Sequence, residues 1–312
     1  VRVPIERMSS SPPQSGGARS VLAFATCTLI WGSTFLIIRI GNGTVPPMWA
    51  ASLRLIVAAV VMVALVFSLG RGLPRGPALK AAAWYGLFQF GFNLPLLYWG
   101  EMVVPSGLAA VVFATIPITS ALVARAFGLE RLEPLKMLGA IVALGGVMVL
   151  FVGQQGARVT ALPILSIYLA TVFAAIGSTM LKRGPRQDPL AANAIAAAVG
   201  APVCLLASLL LREVRSLPTQ WVQIYPILYL AIIGSVGAFV VYAWLINHWN
   251  VSTLAFIGVA VPVIAVGLGA LVLHEELHRQ HVMGSVLVLA GVILAIANDR
   301  RRARRPPTSV LR

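Results

Sequence analysis

Long apolar segments separated by short polar links recur along the whole sequence and constrain its fold more than any other feature. Only 11% of the residues are charged and 59% are hydrophobic, whereas soluble domains carry roughly 25% charged residues. So few charges do not cover a water-facing surface. Because each helical residue rises about 1.5 Å, about 20 apolar residues cross the ~30 Å hydrocarbon core of a bilayer. The sequence therefore predicts an all-α membrane protein.

Ten segments have the length and composition of a transmembrane helix: Val21–Ile40, Met48–Leu69, Leu79–Trp99, Val104–Gly128, Lys136–Gly153, Ala161–Leu181, Leu190–Leu211, Val222–Asn247, Ser252–His274 and Val282–Asn298. Two terminal segments differ from them in composition. Residues 1–20 include SSSPPQSGG and residues 299–312 include RRPPTSV. We expect both to be disordered tails, since polar, proline-rich segments do not bury enough apolar surface to fold.

The basic residues are concentrated in alternate links between the apolar segments. A net charge of +15 would favour a nucleic-acid partner if it were spread over one surface. With the N-terminus placed in the cytoplasm, however, the links on the far side contain only Arg158, Arg212, Arg215 and Arg279. The positive-inside rule describes this asymmetry. We therefore expect a bacterial inner-membrane protein with both termini cytoplasmic, a lipid bilayer around it and no nucleic-acid partner.

The chain contains an internal duplication with an offset of 145 residues, which is the separation of Gly32 and Gly177 in two GST motifs. The same ungapped offset superposes pairs of residue types that are rare in an apolar chain. These pairs are Trp99 with Trp244, Pro117 with Pro262, and Glu130 with Glu275. We therefore predict two repeats, residues 21–153 and 161–298, joined by a linker at residues 154–160.

Each predicted repeat contains five of the ten segments. An odd number of helices per repeat makes the second repeat enter the membrane from the opposite side, so the two repeats are expected to have inverted topology. In such proteins the substrate site lies near the middle of the membrane between the repeats, which rock around it. This arrangement favours transport of a small molecule. A scaffold or receptor without transport activity also fits the helices, but it does not explain the duplication.

Several short motifs occur in a characteristic order. WGS lies in the first segment (Trp31–Ser33), RLIVA in the second (Arg54–Ala58), and the fourth and ninth segments carry a proline followed thirteen residues later by a glutamate. In this order the sequence resembles the EamA-type transporters of the drug/metabolite transporter superfamily over residues 21–298. The resemblance implies alternating-access export of small metabolites, often amino acids. It also implies a central cavity lined by the first, third, fourth, sixth, eighth and ninth helices.

The second repeat departs from the family pattern at two places. Ile176 stands where the first repeat has Trp31, and Arg54 has no counterpart. The predicted cavity is therefore chemically asymmetric. Its candidate lining residues are polar or aromatic side chains in apolar segments: Trp31, Ser33, Thr34, Gln89, Asn93, Tyr98, Trp99, Ser178, Thr179, Tyr242 and Trp244.

Each group of candidates also has a structural interpretation. The GST residues can serve close helix packing or bond their own helix, and Gln89 and Asn93, one turn apart, can form interhelical hydrogen bonds. Tyr98, Trp99, Tyr242 and Trp244 can form an interfacial belt. Pro95, Pro117 and Pro262 are candidate hinges, or kinks that serve packing alone. Arg54 can snorkel, pair with a helix end or bind a substrate carboxylate; we favour a structural role for it, as for Glu130 and Glu275.

His274–His278 reads HEELH and satisfies the H-E-x-x-H pattern, in which two histidines bind zinc and the glutamate activates water. Its Glu275 is already explained by the equivalent Glu130, whose surroundings LERLE contain no histidine, and no third ligand has the expected spacing. An intramembrane zinc metalloprotease is therefore the alternative, and we expect no enzyme activity, metal or other cofactor. A small-molecule substrate is the expected partner, and monomer and dimer both stay open.

Overall fold

The computed structural model describes residues 17–42, 44–104, 106–152, 161–272 and 278–303. All regular secondary structure in these ranges is helical. The helices are α1 Ala18–Asn42, α2 Pro47–Ser68, α3 Gly76–Gly86, π1 Leu87–Phe92, α4 Asn93–Glu101, α5 Ser106–Phe113, α6 Ile116–Ala126, α7 Pro134–Leu150, α8 Ala161–Arg183, α9 Pro189–Leu210, α10 Trp221–Tyr229, π2 Leu230–Gly237, α11 Ala238–His248, α12 Val251–Leu254, α13 Phe256–Val272 and α14 Arg279–Ala303. π1 and π2 are π-helical, and the other helices are α-helices.

The helices carry the composition expected of membrane spans. Seven stretches within the described residues are long and apolar enough to cross a bilayer: Pro47–Ser68, Ala109–Ala126, Ala161–Arg183, Pro189–Leu210, Trp221–His248, Val251–Leu268 and Arg279–Asn298. Pro134–Leu150 is apolar but shorter. The prediction of an all-α chain with several membrane-spanning helices is confirmed.

Helix ends do not coincide with the ends of the apolar segments. α1 begins at Ala18 and α14 continues to Ala303, so each helix extends into a segment that its composition assigns to a tail. The hydrogen-bond ladder of a helix continues past the hydrocarbon boundary, whereas an apolar segment ends there. The whole of the predicted linker, residues 154–160, and the rest of both tails lie outside the described residues.

The internal duplication is visible in the helix boundaries. Four helices of the first repeat are separated from their counterparts in the second repeat by the same offset as the two GST motifs. For example, α3 begins at Gly76 and α10 begins at Trp221. These pairs are α3 and α10, α4 and α11, α5 and α12, and α7 and α14. The π-helical stretches also correspond, because π1 directly precedes α4 and π2 directly precedes α11. Both repeats thus follow one structural plan.

Equivalent helices α7 and α14 pack against each other through glycines. A methyl group added at Gly139 would lie 2.8 Å from the carbonyl oxygen of Gly291, and one added at Gly146 would lie 2.8 Å from that of Gly284. Only a residue without a side chain permits this approach, which in lipid maximises packing between helices. As residue numbers rise along α7 the contacts fall along α14, so these two helices are antiparallel.

Equivalent helices α2 and α9 are also antiparallel. The backbone N–H groups of Met48 and Trp49, at the start of α2, donate to the carboxylate of Glu213, just beyond α9, over 3.1 and 2.8 Å. At the other end Arg71, after α2, forms a 2.8 Å ion pair with Asp188, which precedes α9. The start of one helix therefore lies beside the end of its counterpart.

The first helix of the second repeat, α8, runs along α3, π1 and α4 of the first repeat. Glycines again mark the closest points. A methyl group at Gly177 would lie 3.0 Å from the backbone nitrogen of Gln89, one at Gly184 would lie 2.4 Å from Ala81 Cβ, and one at Gly100 would lie 2.4 Å from Ile167. This register places the second GST motif directly beside Gln89.

Adjacent glycines in α7 provide a matched test of the glycine contact. We expect Gly146→Ala to lower the thermal midpoint of the purified protein in detergent, because overpacking of a tight contact costs about 1–3 kcal/mol. Gly145→Ala adds a methyl group with nothing within 4 Å and is expected to leave the midpoint unchanged or slightly higher, since alanine favours helix. Equal midpoints for the two variants would contradict the close packing of α7 and α14.

Candidate functional site

The serines of the two GST motifs bind tyrosines of one helical stretch. Ser33 Oγ lies 2.8 Å from Tyr229 Oη, and Ser178 Oγ lies 3.0 Å from Tyr242 Oη. Ser33 donates its only hydroxyl proton to the Ile30 carbonyl, so Tyr229 is the donor in the first pair. Both tyrosines belong to the stretch α10–π2–α11. The two motifs, which come from different repeats, therefore hold the same segment of the second repeat.

Trp31 belongs to an aromatic cluster beside the Ser178–Tyr242 pair. Its ring centroid lies 5.0 Å from that of Phe239 and 5.2 Å from that of Tyr242. Tilted ring contacts at these distances are favourable. The structure therefore brings together three predicted site residues, Trp31, Ser178 and Tyr242, from α1, α8 and α11. Thr34 is also buried, and its hydroxyl donates to the Trp31 carbonyl.

Nine buried polar side-chain atoms in the described residues have no hydrogen-bond partner, and four of them belong to the helices α3, π1, α4 and α8. They are Tyr85 Oη, Gln89 Oε1, Asn93 Oδ1 and Thr179 Oγ1. The first three residues are spaced by four along α3, π1 and α4, which places them on one side of that stretch. An unsatisfied buried polar group costs roughly 1–3 kcal/mol. Such a set, gathered where two repeats meet, is suited to binding a solute that supplies the missing hydrogen bonds.

Sequence reasoning missed Tyr85, which is fully buried. Its spacing of four residues from Gln89 was the available signal, since Gln89 and Asn93 were selected for the same spacing. Because tyrosine is common at membrane interfaces, its residue type did not mark Tyr85 as a candidate site residue.

The π-helical stretch π1 carries Gln89 and leads into Pro95. Pro95 has no backbone N–H to donate to the preceding turn, which favours an irregular helix at this point. Proline is not the whole cause, because π2 occurs in the second repeat although Val240 occupies the position equivalent to Pro95. The recurrence of π-helix at both equivalent places makes it a feature of the repeat itself.

The prolines Pro117 and Pro262 occupy equivalent sequence positions but different places in their helices. The break between α5 and α6 falls at residues 114–115, and Pro117 lies in the first turn of α6. The break between α12 and α13 falls at Ala255, and Pro262 lies inside α13. Both helical stretches are therefore broken, as the sequence suggests, while hinge motion at these prolines stays a prediction.

Three further aromatic candidates lie apart from the Trp31 ring cluster. Tyr98 is buried beside the guanidinium of Arg54, and Trp99 is half-buried against the core. Trp244 stacks on His248, with 4.0 Å between ring centroids. It lines an open cavity of about 420 Å³ whose wall also includes Arg19 and Arg71. Trp244 is thus placed near the start of α1.

Two charged residues of the predicted motifs make structural contacts. Arg54 is buried, and its Nε donates to Ser235 Oγ over 2.8 Å, which ties α2 to π2. Glu130 accepts from the backbone N–H of Val251 over 2.6 Å and from the Ser252 hydroxyl. It therefore caps the start of α12, where backbone donors lack helical partners.

The HEELH segment is described only at its last residue. His274 and Glu275 lie outside the described residues, and His278 is exposed with its ring against His281. In the part of the chain that the structure covers, no three His, Cys, Asp or Glu side chains come close enough to hold a metal ion.

Comparison with known families decides the class of protein. The model of the EamA-like transporter family matches the chain twice, over residues 18–152 and 161–297. The chain belongs to the EamA-like transporter family. It is a membrane transporter, and the comparisons place it among transporters and efflux pumps and not among enzymes. The two matches correspond to the two repeats.

Relatives of known name agree with the family. The chain is 28% identical to the "Uncharacterized inner membrane transporter YedA" of Escherichia coli (strain K12), over 85% of this chain and 87% of that protein. It is 29% identical to the "Probable amino-acid metabolite efflux pump" of Salmonella typhimurium, over 88% and 93%. A solved structure described as "Crystal structure of protein" has a TM-score of 0.74 at 19% identity, covering 92% of this chain and 99% of that one. This last match shows the same fold.

Two buried asparagines allow the unpartnered site to be tested against an ordinary structural one. Asn193 donates from Nδ2 to the carbonyls of Pro189 and Phe239, both over 2.9 Å. We expect Asn193→Leu to lower the thermal midpoint, because it removes both bonds, and Asn93→Leu to leave it unchanged or raise it, because Asn93 Oδ1 has no partner to lose. A larger loss of thermal stability in Asn93→Leu would contradict the unpartnered state of Asn93.

Proposed function

We propose that this transporter exports small metabolites, with amino acids as the first candidates, by alternating access at a site between its two repeats. The observation that carries the proposal is the set of unpartnered polar atoms at Tyr85, Gln89, Asn93 and Thr179 beside the Trp31 ring cluster. A polar solute would supply the missing hydrogen bonds, and the aromatic rings would cover its apolar part. The name of the Salmonella relative supports amino acids as the class to test first.

The antiparallel packing of equivalent helices supports the topology in this proposal. α7 with α14 and α2 with α9 run in opposite directions, as they would if the second repeat were inverted in the membrane. We infer ten transmembrane helices, five in each repeat, with both termini in the cytoplasm of a bacterial cell. The seven described spans, which include the broken helix α5–α6, and the helices α1, α3–π1–α4 and α7 together supply these ten.

Alternating access would act on contacts between the repeats. The GST serines hold α10–π2–α11 from both sides, and the helix breaks before Pro117 and at Ala255 are flexible points within the fourth helix of each repeat. We infer that movement at these breaks lets one repeat rock against the other while the unpartnered polar atoms stay close to the solute. Helix breaks near a midplane site are the usual arrangement in transporters built from inverted repeats.

Export measurements test the function. Cells loaded with a labelled panel of amino acids are expected to lose at least one of them faster when they contain the protein. Asn93→Leu and Trp31→Ala are expected to slow this exit roughly three- to tenfold, since one lost hydrogen bond or one lost aromatic contact with a solute is worth about 0.5–1.5 kcal/mol. Trp221→Ala, which changes a residue that is 70% exposed, is the matched control and should leave exit unchanged.

Unchanged exit in both site variants, with unchanged amounts of protein in the membrane, would contradict the site. Exit that is the same with and without the wild-type protein would contradict amino-acid export.

Reporter fusions test the topology. A green fluorescent protein joined after Ala303 is expected to fluoresce, because it folds in the cytoplasm. Alkaline phosphatase inserted in the link between α9 and α10, next to Pro218, is expected to be active, because that link would lie on the outer side. The opposite pair of results would show that the orientation is reversed.

A further inference from the structure

The guanidinium of Arg54 is held in place by three elements. Arg54 lies on α2 and is only 6% exposed. Its Nε donates to Ser235 Oγ on π2 over 2.8 Å, and Tyr98 on α4 lines the same small cavity as Arg54. A methyl group added at Gly234 would lie 3.4 Å from Nη2 of Arg54, so the glycine makes room for the guanidinium. The charge is therefore fixed in position and not free to snorkel.

Within the described part of the chain, no carboxylate neutralises Arg54. The ion pair of Arg71 with Asp188 does not involve Arg54. Other described acidic side chains act elsewhere, since Glu130 and Glu213 cap helices. Glu101, three residues beyond Tyr98, does not reach ion-pair distance of Arg54. A buried charge is costly unless it is paired, so Arg54 has unused capacity for an anion.

Two lysines, the buried Lys136 and the half-buried Lys182, are satisfied differently. Lys182 donates to the carbonyls of Ile246 and Trp249, at the end of α11, over 2.5 and 2.9 Å. Lys136 donates to the Ser252 hydroxyl, which in turn binds the Glu130 carboxylate. Both lysines thus meet the negative end of a helix or a carboxylate relay. Arg54 meets hydroxyl groups, which are neutral.

A small cavity lies beside Arg54. Its volume is about 20 Å³, and its lining includes Arg54, Tyr98, Gly41, Gln223 and Pro226. This volume holds about one water molecule, so a solute enters only if the surrounding helices separate. The lining comes from the end of α1, the start of α2, α4 and α10, which are elements of both repeats and would separate as the repeats rock.

We propose that Arg54 binds the carboxylate of the transported solute, and that the substrates of this protein are therefore carboxylate-bearing small molecules. Ser235 positions the guanidinium, whose planar donors match a carboxylate. The inference rests on the proposed function, because it assigns the substrate class of the same transport path. The small cavity beside Arg54 is lined by Gly41, near the end of α1, whereas the cavity with Arg19 lies near its start. With the N-terminus in the cytoplasm, the carboxylate contact would be made on the outer half of the path.

Paired solutes test the substrate class without changing the protein. The purified wild-type protein in liposomes is assayed for uptake of labelled amino acids and of the corresponding amino-acid amides, which have no carboxylate. We expect uptake of at least one amino acid, and uptake of its amide to be at least tenfold slower. Equal uptake of an amino acid and its amide would overturn the inference and leave the proposed transport intact. Uptake of neither set by folded protein would contradict both.

Variants then test the residue. We expect Arg54→Gln to raise the KM for the amino acid roughly ten- to hundredfold, because a hydrogen bond to a charged group is worth about 1.5–3 kcal/mol, with no change in KM for the amide. Arg54→Lys should be intermediate because it keeps the charge and loses the planar fork. Arg75→Gln, at an exposed arginine before α3, is the matched control and should behave as wild type.

Thermal midpoints separate binding from a purely structural role. A structural tie between α2 and π2 would make Arg54→Gln and Ser235→Ala less stable and would slow uptake of amino acid and amide equally. That result would overturn the inference. A rise in the KM for the amino acid, with no rise in the KM for its amide, would support the inference. If Arg54→Gln is less stable than the wild type, Arg54→Lys should be closer to the wild type in stability.

Discussion

The close approach of antiparallel helices at glycines is the contact on which the rest of the structure depends. In lipid, helices do not gain from removing apolar surface from water, so their association rests on packing and on hydrogen bonds between them. Gly139, Gly146, Gly284 and Gly291 let the backbones of α7 and α14 meet directly. Gly177 does the same between α8 and π1. These contacts join the two repeats and set the register in which all polar side chains meet.

That register leaves several buried polar groups without a hydrogen-bond partner. Tyr85, Gln89, Asn93 and Thr179 each leave a polar atom without a partner. Asn193 Oδ1 is unpartnered too, but its Nδ2 donates to two carbonyls and so joins α9 to α11. Asn193 therefore makes a structural contact, whereas an unsatisfied group raises the energy of the empty state and favours a bound one. The same reasoning applies to Arg54, whose charge meets only neutral groups in the described residues.

The structure brings some of the predicted site residues together and leaves others apart, for identifiable reasons. Trp31 and Ser178 lie in the equivalent motifs of α1 and α8, and both contact Tyr242. Trp244 was grouped with them by the same repeat, yet it stacks on His248 at a helix end. Tyr85 was missed although it shares the spacing of Gln89. Repeat symmetry predicts where a residue lies along its helix, but it does not predict which neighbouring helix its side chain contacts.

The sequence by itself determined the helical class, the duplication, the expected orientation in the membrane and the family, because these depend on local composition, on charge in the links and on motif order. Only the tertiary structure decided which side chains meet. Ser33 pairs with Tyr229 and Ser178 with Tyr242, although neither tyrosine has a counterpart in the first repeat, where the equivalent residues are Trp84 and Leu97. Such contacts join residues far apart in the chain, and the packing of glycines between antiparallel helices sets their register.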